Sequence, residues 1–181
     1  VVLYPPVAHW EWSSSGWASI SAADAFCGGV IDFAGCGAVH LVGGVAALCG
    51  AAIIGPRGGR FDERDKSMPP IPMPGHSSVL QVLGTFILWT GWYGFNIGST
   101  QSLNAATANT AGRVAMTTTL SASVCGFLTV CIGRLTGEHA WDVVPMCNGV
   151  LAGLVSITAG CATVEPGVSV LIGALGAFAY R

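Results

Sequence analysis

Apolar residues along the chain are gathered into long runs with short polar breaks between them. The runs fall at roughly 1–12, 34–55, 78–98, 113–135, 143–161 and 166–180. The middle four are long enough to cross a bilayer as helices, since about 20 residues rising ~1.5 Å each span ~30 Å of hydrocarbon. The first and last are too short and read as truncated spans. The pattern predicts an all-α fold: a polytopic transmembrane helix bundle with about four complete and two truncated helices. Gly or Ala occurs in every run, most densely in "GCGAVHLVGGVAALCGAA" over 35–52. Small residues let helices approach closely in lipid, where tight packing replaces the hydrophobic drive.

Composition agrees with this pattern. Of 181 residues, 52% are hydrophobic and 9% charged, and the mean hydropathy is +0.64. A soluble domain carries roughly 25% charged residues, so this chain has too few to cover a water-facing surface. Net charge is −2 with no basic tract, which gives nucleic-acid binding no support. The seven cysteines form no C-x-x-C pair, and most sit inside apolar runs as small hydrophobes. Cys27 and Cys36 are the pair to test for a disulfide, two free thiols being the plainer reading. The chain begins at Val1 and stops at Arg181 inside an apolar run. We read 1–181 as one membrane domain, an internal fragment of a longer protein, with no visible signal peptide.

The loops set an expected orientation. The stretch "GPRGGRFDERDKSMPPIPMPGH" holds Arg57, Arg60, Arg64 and Lys66. Arg134 and Arg181 fall on the same side if the helices alternate, and Arg113 alone falls on the other. The positive-inside rule then makes the loop 56–77 cytoplasmic and turns 13–33 and "STQSLNAATANTAG" outward.

With this topology Trp12, Asp32, Phe95 and Ser99 share one level near the outer face. Phe95 and Ser99 are spaced i, i+4, so they can share a helix face, with Phe95 about 6 Å deeper. His40 follows Asp32 by eight residues, ~12 Å along a helix that begins at Asp32 and so near mid-membrane. A histidine there faces a cavity or a partner, not lipid; the alternative is a packed ring bonded to a neighbouring carbonyl. Asp32 also has a plain reading, an N-cap contributing about 0.5–2 kcal/mol. The two roles are compatible, because a capped carboxylate at a pore mouth still adds negative potential. Trp10 and Trp17 read as interfacial aromatics, whereas Trp12 can offer a cation–π face. Ser99 can bond its own helix or accept from an N–H donor. His9, His76 and His139 sit at interfaces or loops and receive no role. No metal-ligand pair at helical spacing and no nucleophile with an acid–base partner appears, so neither a metal, another cofactor nor an enzyme activity is expected.

The stretches "DFAGCGAVHLVGGVAALCGAAIIGPRGGRFD", "GTFILWTGWYGFNIGS" and "AGCATVEPG" resemble, in that order, motifs of the Amt/Mep/Rh ammonium transporter family, and are most similar to plant and algal Amt proteins. The resemblance covers essentially the whole chain. It implies a homotrimer with a pathway through each subunit of about eleven transmembrane helices, of which this chain would hold roughly the fourth to the ninth. It further implies that Trp12 and Ser99 form an outer ammonium recruitment site. Asp32 would stabilise the ion and the local fold, Phe95 would be the deeper of two gate phenyls, and His40 the first of two pore histidines. The implied function is transport of ammonium or ammonia across the plasma membrane, with an ammonium sensor and an Rh-type ammonia gas channel as alternatives. The twenty-residue separation of Trp12 from Asp32 carries that part of the match. Cys36 stands where many relatives have a small residue such as Ser or Gly.

Overall fold

A computed structural model of the chain describes residues 2–61, 69–137 and 141–181. The described residues form α1 (Tyr4–Trp12), α2 (Cys36–Ile54), α3 (Ser78–Gly98), α4 (Ala108–Leu135), α5 (Val143–Ile157) and α6 (Pro166–Tyr180), with no strand among them. Each expected run thus contains a helix. Arg64, Lys66 and His139 lie outside the described residues, so the cytoplasmic reading of 56–77 rests on sequence.

The helix ends follow local chemistry. Pro5 and Pro6 open α1 and Pro166 opens α6, where an N–H would have no intrahelical partner anyway. The Ser77 hydroxyl accepts from Leu80 N–H at the start of α3, and Asp142 accepts from Val144 N–H at the start of α5. Two ends differ from the sequence expectation. α5 has 15 residues instead of running to 161, because the chain from Thr158 turns back on itself, with Gly160 N–H bonded to Ile157 O and Thr163 N–H to Gly160 O. α2 begins at Cys36, not at Asp32, for a reason that belongs to the site.

α4 is the central post, packed along α5 and α6. Its side of the interface is polar as well as apolar. Thr117 donates to Cys161 O and Ser121 to Gly153 O, each at 2.8 Å, and all four of these residues' contacts lie within the buried core with Val114, Ala122, Leu154 and Ile157. The glycines permit the close approach: a Cβ at Gly153 would stand 2.6 Å from Ser121 O, and one at Gly173 would stand 2.5 Å from the same atom. α3 docks on this post through side-chain hydrogen bonds. Trp92 Nε1 donates to Thr158 Oγ1 (3.0 Å), Asn96 Nδ2 donates to Thr118 Oγ1 (3.0 Å), and Tyr93 and Thr119 share a hydrogen bond of 2.6 Å. Hydroxyls and small residues are the usual means of joining helices where burial from water gives little drive. By length and composition, α2 and α4 are able to cross a membrane; α5 and α6 are shorter apolar helices of 15 residues each.

Candidate functional site

The start of α2 is organised around one carboxylate. Asp32 Oδ1 accepts from the N–H groups of Gly35 (2.9 Å) and Cys36 (2.7 Å), and Oδ2 from those of Gly37 (2.8 Å) and Ala38 (3.1 Å). These are the donors that a helix beginning here leaves without backbone partners. Gly35 takes φ 101°, which a residue with a Cβ adopts only with strain. The chain then closes a wide π-helical turn over Cys36–Leu41, with His40 N–H reaching Gly35 O, before continuing as α-helix. Asp32 therefore does cap the helix, but from four residues ahead of it. His40 is consequently one turn from the start of α2, not the ~12 Å expected for a helix beginning at Asp32.

Trp12 comes to this turn through the loop 13–35. Its indole Nε1 donates to the backbone oxygen of Asp32 at 2.7 Å, and its ring edge lies beside Gly35. The loop is held by Ala18 N–H to Trp10 O (3.1 Å) and Val30 N–H to Ala18 O (2.8 Å). Trp10 packs on Trp17 with ring centroids 6.1 Å apart, so these two form an exposed cluster apart from Trp12. Phe33 N–H bonds Ala159 O at 2.9 Å, tying the turn to the far end of α5. Cys27 and Cys36 are not paired; the Cys36 thiol donates to Val155 O at 3.3 Å.

Trp12, Asp32 and Ser99 border one cavity of about 410 Å3, shared with Glu11, Phe33 and Gln101. Ser99 Oγ donates to Phe95 O at 2.9 Å, its own helix, which leaves the hydroxyl lone pairs free to accept from a ligand. An aromatic face, a hydroxyl acceptor and a carboxylate behind them suit a small cation with several N–H donors. Deeper along α3, the His40 ring stacks on Trp92 (centroids 4.9 Å, planes 24° apart) and lies 5.4 Å from Phe95. His40 Nε2 is buried with no hydrogen-bond partner among the described residues. The ring also lines an apolar cavity of about 370 Å3 with Leu41, Gly44 and Leu48.

The structure thus brings Trp12, Asp32 and Ser99 to one cavity and Phe95 to His40. Sequence reasoning missed Glu11, Phe33, Gln101 and Trp92. Glu11 gave a signal, as an acidic residue in an apolar run; Phe33 and Gln101 gave none, since backbone turns bring them in. No group of His, Cys, Asp or Glu able to hold a metal occurs among the described residues.

The family model described as Ammonium Transporter Family matches residues 1–180. The chain is 48% identical to Ammonium transporter 1 member 2 of Arabidopsis thaliana, over 94% of this chain and 35% of that protein. It is 47% identical to Ammonium transporter 1 member 1 of Oryza sativa subsp. japonica, over 97% of this chain and 37% of that protein. Among solved structures, Saccharomyces cerevisiae Mep2 superposes with TM-score 0.77 at 33% identity, covering 98% of this chain and 36% of Mep2. A sensor Amt protein superposes with TM-score 0.83 at 31% identity, covering 99% of this chain and 42% of that one. The chain spans little more than a third of the length of the curated relatives it matches.

Proposed function

Because the chain belongs to the ammonium transporter family, we propose that it forms the outer mouth and upper pore of a protein that moves ammonium or ammonia across a membrane. The observation that carries this is the shared cavity of Trp12 and Ser99 with Asp32 at its edge. An ammonium ion would rest on the Trp12 face, donate an N–H to Ser99 Oγ and feel the Asp32 charge through the turn. Asp32 would act at a distance, since its oxygens already accept four backbone N–H groups.

Beyond this mouth, an ion in the apolar lumen would be expensive, because an unpaired charge away from water costs many kcal/mol. Either the ion leaves its proton at the entry and passes as ammonia, or the proton travels separately along imidazoles. Phe95 is the constriction in this reading, and His40, with a buried unpartnered Nε2, is the polar station that accepts a hydrogen bond or relays the proton. The chain would work inside a longer integral membrane subunit, in the plasma membrane and as a homotrimer.

The superposition on a sensor Amt protein favours one second reading, in which the same mouth binds ammonium and signals. The full-length protein, expressed in cells lacking their own ammonium uptake, separates the two. Growth on low ammonium is expected. No growth with the protein at the cell surface moves the assignment to sensing, and ammonium binding is then measured directly.

A further inference from the structure

Glu11 is the only acidic residue of α1, and it borders the same cavity as Trp12, Asp32 and Ser99. Its carboxyl lies over the first turn of α2. A Cβ on Gly37 would stand 2.9 Å from Glu11 Oε1, 3.1 Å from Glu11 Oε2 and 3.3 Å from Asp32 Oδ2. The two carboxyl groups therefore converge above one α-carbon.

They are not equivalent. Asp32 is 8% exposed, and both its oxygens are occupied by backbone N–H groups. Glu11 Oε2 is buried and has no hydrogen-bond partner among the described residues, and the backbone donor beside the Glu11 carboxyl, Ala38 N–H, is already bonded to Asp32 Oδ2. Two ionised carboxylates in contact away from water repel each other, and the orphan oxygen loses its hydration as well. A proton on Glu11 removes this repulsion, and its O–H can point to Asp32 Oδ2 as a donor sharing that oxygen with the Gly37 and Ala38 N–H groups.

We propose that Glu11 is a positioning residue that shares a single proton with Asp32 at the cavity, and that a cation entering the cavity displaces this proton to the external water. The inference rests on reading the cavity as a cation recruitment site. The balance is simple: the Glu11 O–H bond breaks, a water takes the proton, and the pair passes from one negative charge to two as one positive charge arrives. The effect is reciprocal, so acid weakens cation binding as the cation weakens proton binding. Besides Asp32, the titratable groups near this pair among the described residues are Cys36, which feels both carboxyls, and His40 and Cys161, which feel Asp32.

The test uses the full-length protein in lipid vesicles, read by infrared spectroscopy at neutral pH. Glu11→Gln keeps an N–H able to donate to Asp32, so the start of α2 is retained; Glu11→Asp, which keeps an acid, retains the signal. The wild type is expected to show the C=O stretch of a protonated carboxyl that Glu11→Gln lacks. Ammonium chloride should deplete that band while equal sodium chloride does not. A spectrum without the band, or a band that neither Glu11→Gln nor ammonium alters, overturns the proposal. In uptake assays the wild-type KM should rise by up to about tenfold per pH unit as the pair takes up its proton, whereas Glu11→Gln gives a flat profile; parallel profiles overturn it. A depletable band in a protein that moves no ammonium would sink the transport reading and leave this one standing.

Discussion

The chain contains two regions built on opposite principles. Where α4 meets α5 and α6, glycines face carbonyls, Ser121 bonds across to α5 and Thr117 to the turn after it, and Val114, Ala122, Leu154 and Ile157 close the core. The corner formed by α1, the start of α2 and the end of α3 is held instead by single directed bonds: Trp12 to Asp32, Phe33 to Ala159, and the four N–H groups on Asp32. The most apolar window of α4 is 39% buried and that of α2 only 6%. An apolar helix so bare needs lipid or further helices around it. The α4–α6 region depends on close fit, so it is sensitive to changes in volume. The corner depends on directed bonds, and all the candidate site residues are there.

Changes at the corner should remove transport before they remove the fold. Asp32→Ala is the largest: it strips four N–H groups of their acceptor, two buried and two half-buried, and a buried donor left unsatisfied costs about 1–3 kcal/mol. Uptake should be lost even in protein that reaches the surface, as measured by surface labelling beside labelled-ammonium uptake. Full uptake by well-expressed Asp32→Ala would reduce the residue to a replaceable cap. His40→Ala should come next, abolishing or altering ion-coupled uptake; unchanged flux with unchanged exclusion of K⁺ would remove its pore role.

A change in the packed region should do the opposite. Gly153→Val sets a side chain against Ser121 O and Cys125 Cβ, both 2.6 Å from the Cβ position. Overpacking of this kind costs about 1–3 kcal/mol. Thermal unfolding in detergent should show the loss, with uptake per surface molecule close to wild type. The smallest effect is expected from Ser99→Ala, which removes one hydroxyl acceptor worth about 0.5–1.5 kcal/mol. KM should rise by a few-fold at constant maximal rate; a fall in maximal rate alone would mean that Ser99 serves only its own helix.

Much of this contrast was legible in the sequence. The apolar runs located the six helices α1 to α6 among the described residues, because length and hydropathy are local properties. The motifs brought Trp12, Asp32, Ser99, Phe95 and His40 into one argument. The π-helical start of α2 was not legible, because it arises where Asp32 takes the N–H groups of Gly35 to Ala38, a competition that spacing does not reveal. The early end of α5 depends on the turn at Thr158, within what reads as continuous apolar sequence. Glu11 was legible as an acid in an apolar run, but its meeting with Asp32 depends on how the loop 13–35 folds back.

The central claim is that the corner around Trp12, Asp32 and Ser99 serves ammonium passage while α4–α6 supports it. The most direct measurement is accumulation of isotope-labelled ammonium, per surface molecule, by the full-length protein, its Asp32→Ala variant and its Gly153→Val variant. The account predicts accumulation by the wild type, none by Asp32→Ala, and near-normal accumulation by whatever Gly153→Val protein reaches the surface. A wild-type protein that reaches the surface and accumulates nothing, or an Asp32→Ala protein that accumulates as wild type does, would contradict it.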